Sequence, residues 1–223
     1  MVLYGPWGSG KTTILLELEN RFRQAGIPCG RSPATHCLED IVQALAAAYP
    51  AVDTTGTDPE VARARLAAAA EASEGILLLD HLTDVSSAMV RLVRRLHSGT
   101  VGVLSAVDLE VEHERLKLRP WRLGALSVRM PPDSAERLSQ LLEAGRREHH
   151  LPALRGEFES QLIRAAQGRP GWILHCIELE RQGRYWQDDQ LLVSLLCEDT
   201  NAALLQSATD ALGLERAAGG GIH

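Results

Sequence analysis

The segment Gly5-Pro6-Trp7-Gly8-Ser9-Gly10-Lys11-Thr12 matches the pattern G-x-x-x-x-G-K-[ST] at every fixed position. No other feature of the chain restricts its fold so strongly. Glycines let a backbone curl until successive N–H groups point inward at an anion. A lysine ammonium then reaches the β- and γ-phosphates, and the hydroxyl after it ligates Mg²⁺. Such a loop joins a strand to a helix, whose N-terminal dipole adds to the anion site. Val2-Leu3-Tyr4 reads as the strand, and Thr13 to Arg23 as the helix, with Leu15, Leu18 and Phe22 on one face. The candidate nucleotide-binding residues are therefore Gly5, Pro6, Trp7, Gly8, Ser9, Gly10, Lys11, Thr12 and Thr13, with Thr12 also a metal ligand.

A loop of this kind needs a second acidic group for the metal, at the end of a buried strand. Glu74-Gly75-Ile76-Leu77-Leu78-Leu79-Asp80 supplies one. Four apolar residues in a row mark a central parallel strand buried on both faces. Asp80 at its end would hold Mg²⁺ through water. The next residue is His81. Histidine can act as a general base, Asp84 one helical turn on is an equal candidate, and slow hydrolysis with neither is a third reading.

Strand and helix signals alternate between and beyond these motifs. Ile27 to Arg31 reads as a strand and Leu38 to Tyr49 as a helix. Asp58 caps a helix with Pro59 at its first position. Ser86 to His97 is amphipathic, with Arg91, Arg94 and Arg95 to one side. Val101 to Ser105 reads as another buried strand, ending in Ser105, where such folds carry a group that senses the γ-phosphate. Ala125 to Met130 is the fifth strand. The alternation argues for a doubly wound α/β sheet with the ligand beyond the carboxyl ends of the strands.

Pro131-Pro132 changes the pattern, and every later segment reads as helical. Asp133 and Glu136 resemble a capping box. Leu138, Leu141 and Leu142 form one apolar face, Phe158, Leu162, Ile163 and Ala166 a second, and Ile173, Leu174 and Ile177 a third. A last helix is expected from Asp188 to Leu205. The expected organisation is a nucleotide-binding α/β domain over 1–130, a helical lid over 131–214 and a tail over 215–223.

Composition excludes several other classes. Acidic residues outnumber basic ones 29 to 23, for a net charge of −6, so no overall basic field draws the chain to nucleic acid. No apolar run reaches the roughly 18–20 residues of a membrane span, and no secretory leader is visible. Cys29, Cys37, Cys176 and Cys197 are too scattered for a disulfide framework, and none forms a CxxC pair. A reduced, cytoplasmic protein is expected. Only two of the 23 basic residues are lysine, Lys11 and Lys117.

In this order of parts the chain resembles the AAA+ P-loop ATPases, and within them the bacterial secretion and transposition accessory proteins of the ExeA and TniB types. Two further stretches carry the resemblance: Arg122 through Met130-Pro131-Pro132 into Ala135 to Glu143, and Gly168-Arg169-Pro170-Gly171-Trp172-Ile173-Leu174. In the family the second stretch reads G-x-P-R and its arginine reaches the nucleotide. Here Gly171 stands in that place and Arg169 precedes the proline, so the resemblance implies Arg169 and Pro170 as nucleotide-site residues. His81 stands where the family usually has glutamate. The chain also begins almost on its first strand, so the adenine site is expected to be built differently or the start to be truncated. Leu79-Asp80-His81-Leu82 with the Gly-x-Pro element is similar, too, to the STAND nucleotide switches.

The resemblance implies ATP and Mg²⁺ as cofactors, a homo-oligomer, and an arginine that a neighbouring subunit inserts into the site. Arg115, Arg119 and Arg122 are candidates, with Arg119 and Arg122 nearest the fifth strand. Arg115, Lys117, Arg119, Arg122 and Arg129 form a cationic cluster that could face DNA, a neighbour's nucleotide or an acidic protein. Trp7 and Trp121 could stack on a base. The expected activity is that of an ATPase acting as an oligomeric switch on a partner protein or a DNA transaction. A slow STAND-like switch is the alternative. A small-molecule kinase is a third reading, against which the helical C-terminal part argues.

Overall fold

The computed structural model describes residues 1–82, 85–98, 101–108, 125–154, 156–187 and 190–211. The chain divides into two units, Met1–Gly5 with Lys11–Arg129, and Pro6–Gly10 with Met130–His223. The first unit runs β1 (Val2–Gly5), α1 (Lys11–Gln24), β2 (Cys29–Ser32), α2 (Leu38–Ala48), α3 (Pro59–Ala72), β3 (Gly75–Leu79), α4 (Ser87–Ser98), β4 (Val101–Asp108) and β5 (Ser127–Arg129). Its five strands are parallel, in the order β2-β3-β4-β1-β5.

The apolar run in β3 explains the layering. Successive side chains of a strand point to opposite faces, and Leu77, Leu78 and Leu79 are all completely buried. Leu77 and Leu79 join a core built with Ile41 and Leu45 of α2, Leu66 of α3 and Met89 and Leu96 of α4. Leu78 faces the other way, and the buried Leu15 belongs to α1, which packs on β2, β3 and β4. Helices thus cover both faces of a parallel sheet. The expected cap of α3 is present, the Asp58 carboxylate accepting from the Glu60 N–H at 2.8 Å.

Several strand boundaries differ from the sequence reading, and β5 spans only Ser127–Arg129 of the expected Ala125 to Met130. β2 begins at Cys29 rather than Ile27, because the Ile27 N–H closes the turn after α1 by donating to the Phe22 carbonyl. β4 does not end at Ser105. It continues to Asp108 through the buried Ala106 and Val107, because Ser105 is itself buried inside the strand.

The second unit contains α5 (Ala135–Glu148), α6 (Gly156–Ala166), α7 (Pro170–Glu180), β6 (Trp186–Gln187), β7 (Gln190–Leu191) and α8 (Val193–Ala211). α7 lies against α5, α6 and α8. Leu138, Leu142, Leu162, Trp172, Ile173, Ile177, Tyr185 and Leu196 form the core. Helical periodicity puts Ile173, Cys176, Ile177 and Glu180 on one face, which leaves Leu174, expected inside, 52% exposed.

Three other local features depart from the sequence expectation. The N-cap of α5 is Ser134, whose hydroxyl accepts from the Arg137 N–H, in place of the expected Asp133. The chain beyond Pro132 is not wholly helical, since β6 and β7 form an antiparallel pair. The last helix, expected from Asp188, starts at Val193, because Gln190 and Leu191 are taken up in β7. The buried Arg146 and Glu180 pair within this core, Arg146 also donates to the Pro152 carbonyl, and the Trp186 Nε1–H donates to Glu180 at 3.2 Å. Among the described residues, no helix is long and apolar enough to cross a membrane.

Candidate nucleotide-binding site

In the first unit the site is built where the strands end. Gly5 closes β1 and Lys11 opens α1. The Lys11 side chain is buried, 5% exposed, and its Nζ donates to the Gly5 carbonyl at 3.0 Å. No acidic residue stands in the first turn of α1. A cation at the first position of a helix adds its charge to the positive end of the dipole. The two contributions coincide at one point, which is what an oligophosphate requires.

Asp80 follows β3 directly and is 1% exposed. Its main chain is tied to the neighbouring strand and loop: its N–H donates to the Ser32 carbonyl at 3.0 Å, and its carbonyl accepts from the Thr35 N–H at 2.9 Å. His81 takes up a left-handed conformation, φ 45°, and its own N–H donates to Asp80 Oδ1 at 3.0 Å. Its ring reaches the first turn of α1, with Nε2 3.4 Å from Thr12 Oγ1 and 4.0 Å from Asp80 Oδ1. Thr12, Asp80 and His81, separated in sequence, therefore meet. Hydroxyl, carboxylate and imidazole are a donor set that fits a divalent cation.

Thr13, the next residue of α1, is exposed. Ser105 is buried in register with Val2 and Leu79, three residues before the end of its strand, and shares the face of Val101 and Val107. The residue of β4 level with Gly5 is Asp108. Arg129 ends β5 and is exposed. Asp84, Arg115, Lys117, Arg119, Trp121 and Arg122 lie outside the described residues. Thr35 went unnoticed in the sequence. It is completely buried beside Asp80, its hydroxyl making no hydrogen bond among the described residues. Its signal was positional, a hydroxyl residue just past the carboxyl end of the strand next to β3.

In the second unit the loop Pro6–Gly10 curls through Gly8 at φ 79° and Gly10 at φ 88°, conformations that any side chain would resist. Ser9 N–H closes the turn on the Pro6 carbonyl, and Ser9 is buried while Pro6 and Trp7 are half-buried. The Gly8 carbonyl accepts the Gly171 N–H at 2.9 Å. A Cβ on Gly171 would lie 2.9 Å from Gly8 Cα and 3.0 Å from its carbonyl oxygen. The first turn of α7 thus meets the loop backbone to backbone, where the resembled family carries arginine. Pro170 sits beside Gly10. Arg169 folds back, Nε donating to the Ala166 carbonyl at 3.0 Å and the guanidinium also to Ala165 at 3.4 Å, where it complements the C-terminus of α6.

Sheet order, flanking helices and glycine loop together define an α/β P-loop NTPase fold. The chain is similar in fold to Cdc6p from Pyrobaculum aerophilum, with a TM-score of 0.56 and 14% identity over 82% of this chain and 54% of that one. It is similar to the Orc1 protein of Aeropyrum pernix, solved in complex with DNA, with a TM-score of 0.52 and 19% identity over 91% of this chain and 59% of that one. Domain III of the replication initiation protein DnaA from Thermotoga maritima matches with a TM-score of 0.50 and 16% identity, over 90% of this chain and 83% of that one. The chain thus spans less than two thirds of the first two structures. No protein-family model and no curated protein matches it.

Proposed function

We propose that the chain is an AAA+-like ATPase of the ExeA and TniB type, which binds Mg-ATP at Gly5–Thr12 and switches a partner protein or a DNA transaction as an oligomer. The observation that carries this reading is the buried Lys11 ammonium at the N-terminus of α1, directly after a loop with two glycines at positive φ. Loop N–H groups would hold the phosphates, Lys11 would neutralise the β- and γ-oxygens, and Thr12 and Asp80 would hold the cation, Asp80 through water. The cation supplies positive charge where the transferring phosphoryl group develops negative charge.

His81 and Asp84 are the candidates for orienting water. Arg122 or Arg119 is the candidate finger toward a neighbouring subunit, and Arg169, Pro170 and Ser105 are further nucleotide-site candidates. A role in a DNA transaction is supported by the fold shared with a DNA-bound Orc1 and with a replication initiation protein.

A second reading, a slow STAND-like switch, is favoured by one observation. Gly171 leaves no room for the arginine that the family presents there. Steady-state phosphate release separates the two. Turnover of order 1 s⁻¹ supports the ATPase, and turnover below about one per minute the switch. Chromatographic sizing with and without ATP tests the oligomer, and an elution volume that ignores ATP would reject nucleotide-driven assembly.

A further inference from the structure

The resemblance to the AAA+ ATPases marks His81 only as standing where glutamate is usual, but its geometry is more specific. An imidazole nitrogen, a hydroxyl oxygen and a carboxylate oxygen converge past the carboxyl end of β3, with Nε2 3.4 Å from Thr12 Oγ1 and 4.0 Å from Asp80 Oδ1. Backbone geometry brings the ring there. His81 sits at φ 45°, and its N–H is held by the Asp80 carboxylate. L-residues avoid that conformation, with asparagine, aspartate and histidine the common exceptions.

The two spacings imply different roles. Ligands bound about 2.0–2.2 Å from a first-row cation stand about 3 Å apart when adjacent in an octahedron and about 3.4 Å apart in a tetrahedron. Thr12 Oγ1 and His81 Nε2, 3.4 Å apart, stand at the wider of these separations, close enough to share one ion. Asp80 Oδ1 stands 4.0 Å from His81 Nε2, beyond both of these adjacent-ligand separations. The ring is 20% exposed, so an ion can reach it.

We propose that His81 is a direct ligand of the divalent cation carried with the nucleotide, and that it biases this site toward first-row ions such as Mn²⁺ or Co²⁺ over Mg²⁺. The inference rests on the nucleotide reading above, from which Thr12 takes its role as a ligand. Mg²⁺ favours oxygen donors, whereas imidazole binds the first-row series with rising affinity from Mn²⁺ onward. The assignment also removes His81 from the candidate bases, because a metal-bound Nε2 has no lone pair left to take a proton. Asp84 is then the one remaining named candidate.

The test uses protein labelled with ¹⁵N-histidine and loaded with Mn²⁺ and ATP. Pulsed electron paramagnetic resonance should show the coupling of a directly bound imidazole ¹⁵N. His81→Asn, which tolerates the same left-handed turn, should abolish it while circular dichroism stays native. Calorimetry should show the preference of the ATP complex for Co²⁺ over Mg²⁺ falling by on the order of tenfold or more in that variant. Bound Mn²⁺-ATP without histidine coupling in the wild type would overturn the inference and leave the nucleotide reading intact. Failure to bind ATP with any ion would overturn both. The wild-type spectrum carries the decision even where a substitution prevents folding.

Discussion

Arg146 and Glu180 show how a single pair can organise a helical core. Their side chains are 7% and 0% exposed, and Glu180 also accepts from Trp186 at 3.2 Å, so α5, α7 and β6 share one polar node. Removing one partner leaves an uncompensated buried charge. Glu180→Ala should lower unfolding free energy by about 3–5 kcal/mol, and an apolar pair such as Arg146→Met with Glu180→Leu should recover most of the loss. Urea titrations of both variants check this, and a single variant as stable as wild type would refute it. Neither residue was legible as buried in the sequence. A charged residue in an amphipathic helix has the same pattern whether it meets water or a partner. Lys11 was legible because its spacing from the glycines encodes a chemistry. One of only two lysines in the chain occupies the position where a planar guanidinium fits poorly.

Among the elements, α7 depends on what Gly171 lacks. A methyl group there would stand within about 3 Å of the Gly8 backbone. Gly171→Ala should destabilise the fold by about 1–3 kcal/mol, the usual penalty for overfilling a packed contact. Gly171→Arg should cost more and weaken ATP binding. Thermal melts and ATP titrations read the two effects, and an arginine variant with native stability would contradict the tight contact.

α2 offers a pH-dependent counterpart. Asp40 Oδ2 accepts from the N–H groups of His36 at 2.7 Å and Cys37 at 2.9 Å. Burial pushes the Asp40 carboxyl up, but these hydrogen bonds outweigh it and hold its pKa below the ordinary value. A carboxylate whose folded pKa is depressed stabilises the fold above its unfolded pKa of about 3.9, and that contribution fades as pH falls through the lower folded value. Asp40→Asn should therefore cost about 0.5–2 kcal/mol at pH 7, and the difference from wild type should shrink below about pH 4. Denaturant midpoints across pH 3–7 would show it; a constant difference would exclude the ionised cap. Elements with a strong local cause were readable in advance, such as β3 from its apolar run and α3 from Asp58-Pro59. β4 was cut short at Ser105 because a buried polar residue looks like a strand end. The antiparallel pair β6 and β7 was not legible, because two-residue strands have no period to detect.

For the whole molecule, the P-loop NTPase fold is shared with proteins at 14–19% identity. So few common residues preserve it because a parallel sheet asks for apolar strands and helices on both faces rather than particular side chains. Function is carried by the few positions where chemistry does demand a residue. The most direct test of the central claim is a calorimetric titration of Mg-ATP into the wild-type chain and into Lys11→Ala. The wild type should bind one nucleotide per chain, with affinity falling at least about 100-fold, or about 2.7 kcal/mol, in the variant. Equal affinities in the two proteins, or no binding by the wild type, would contradict the account.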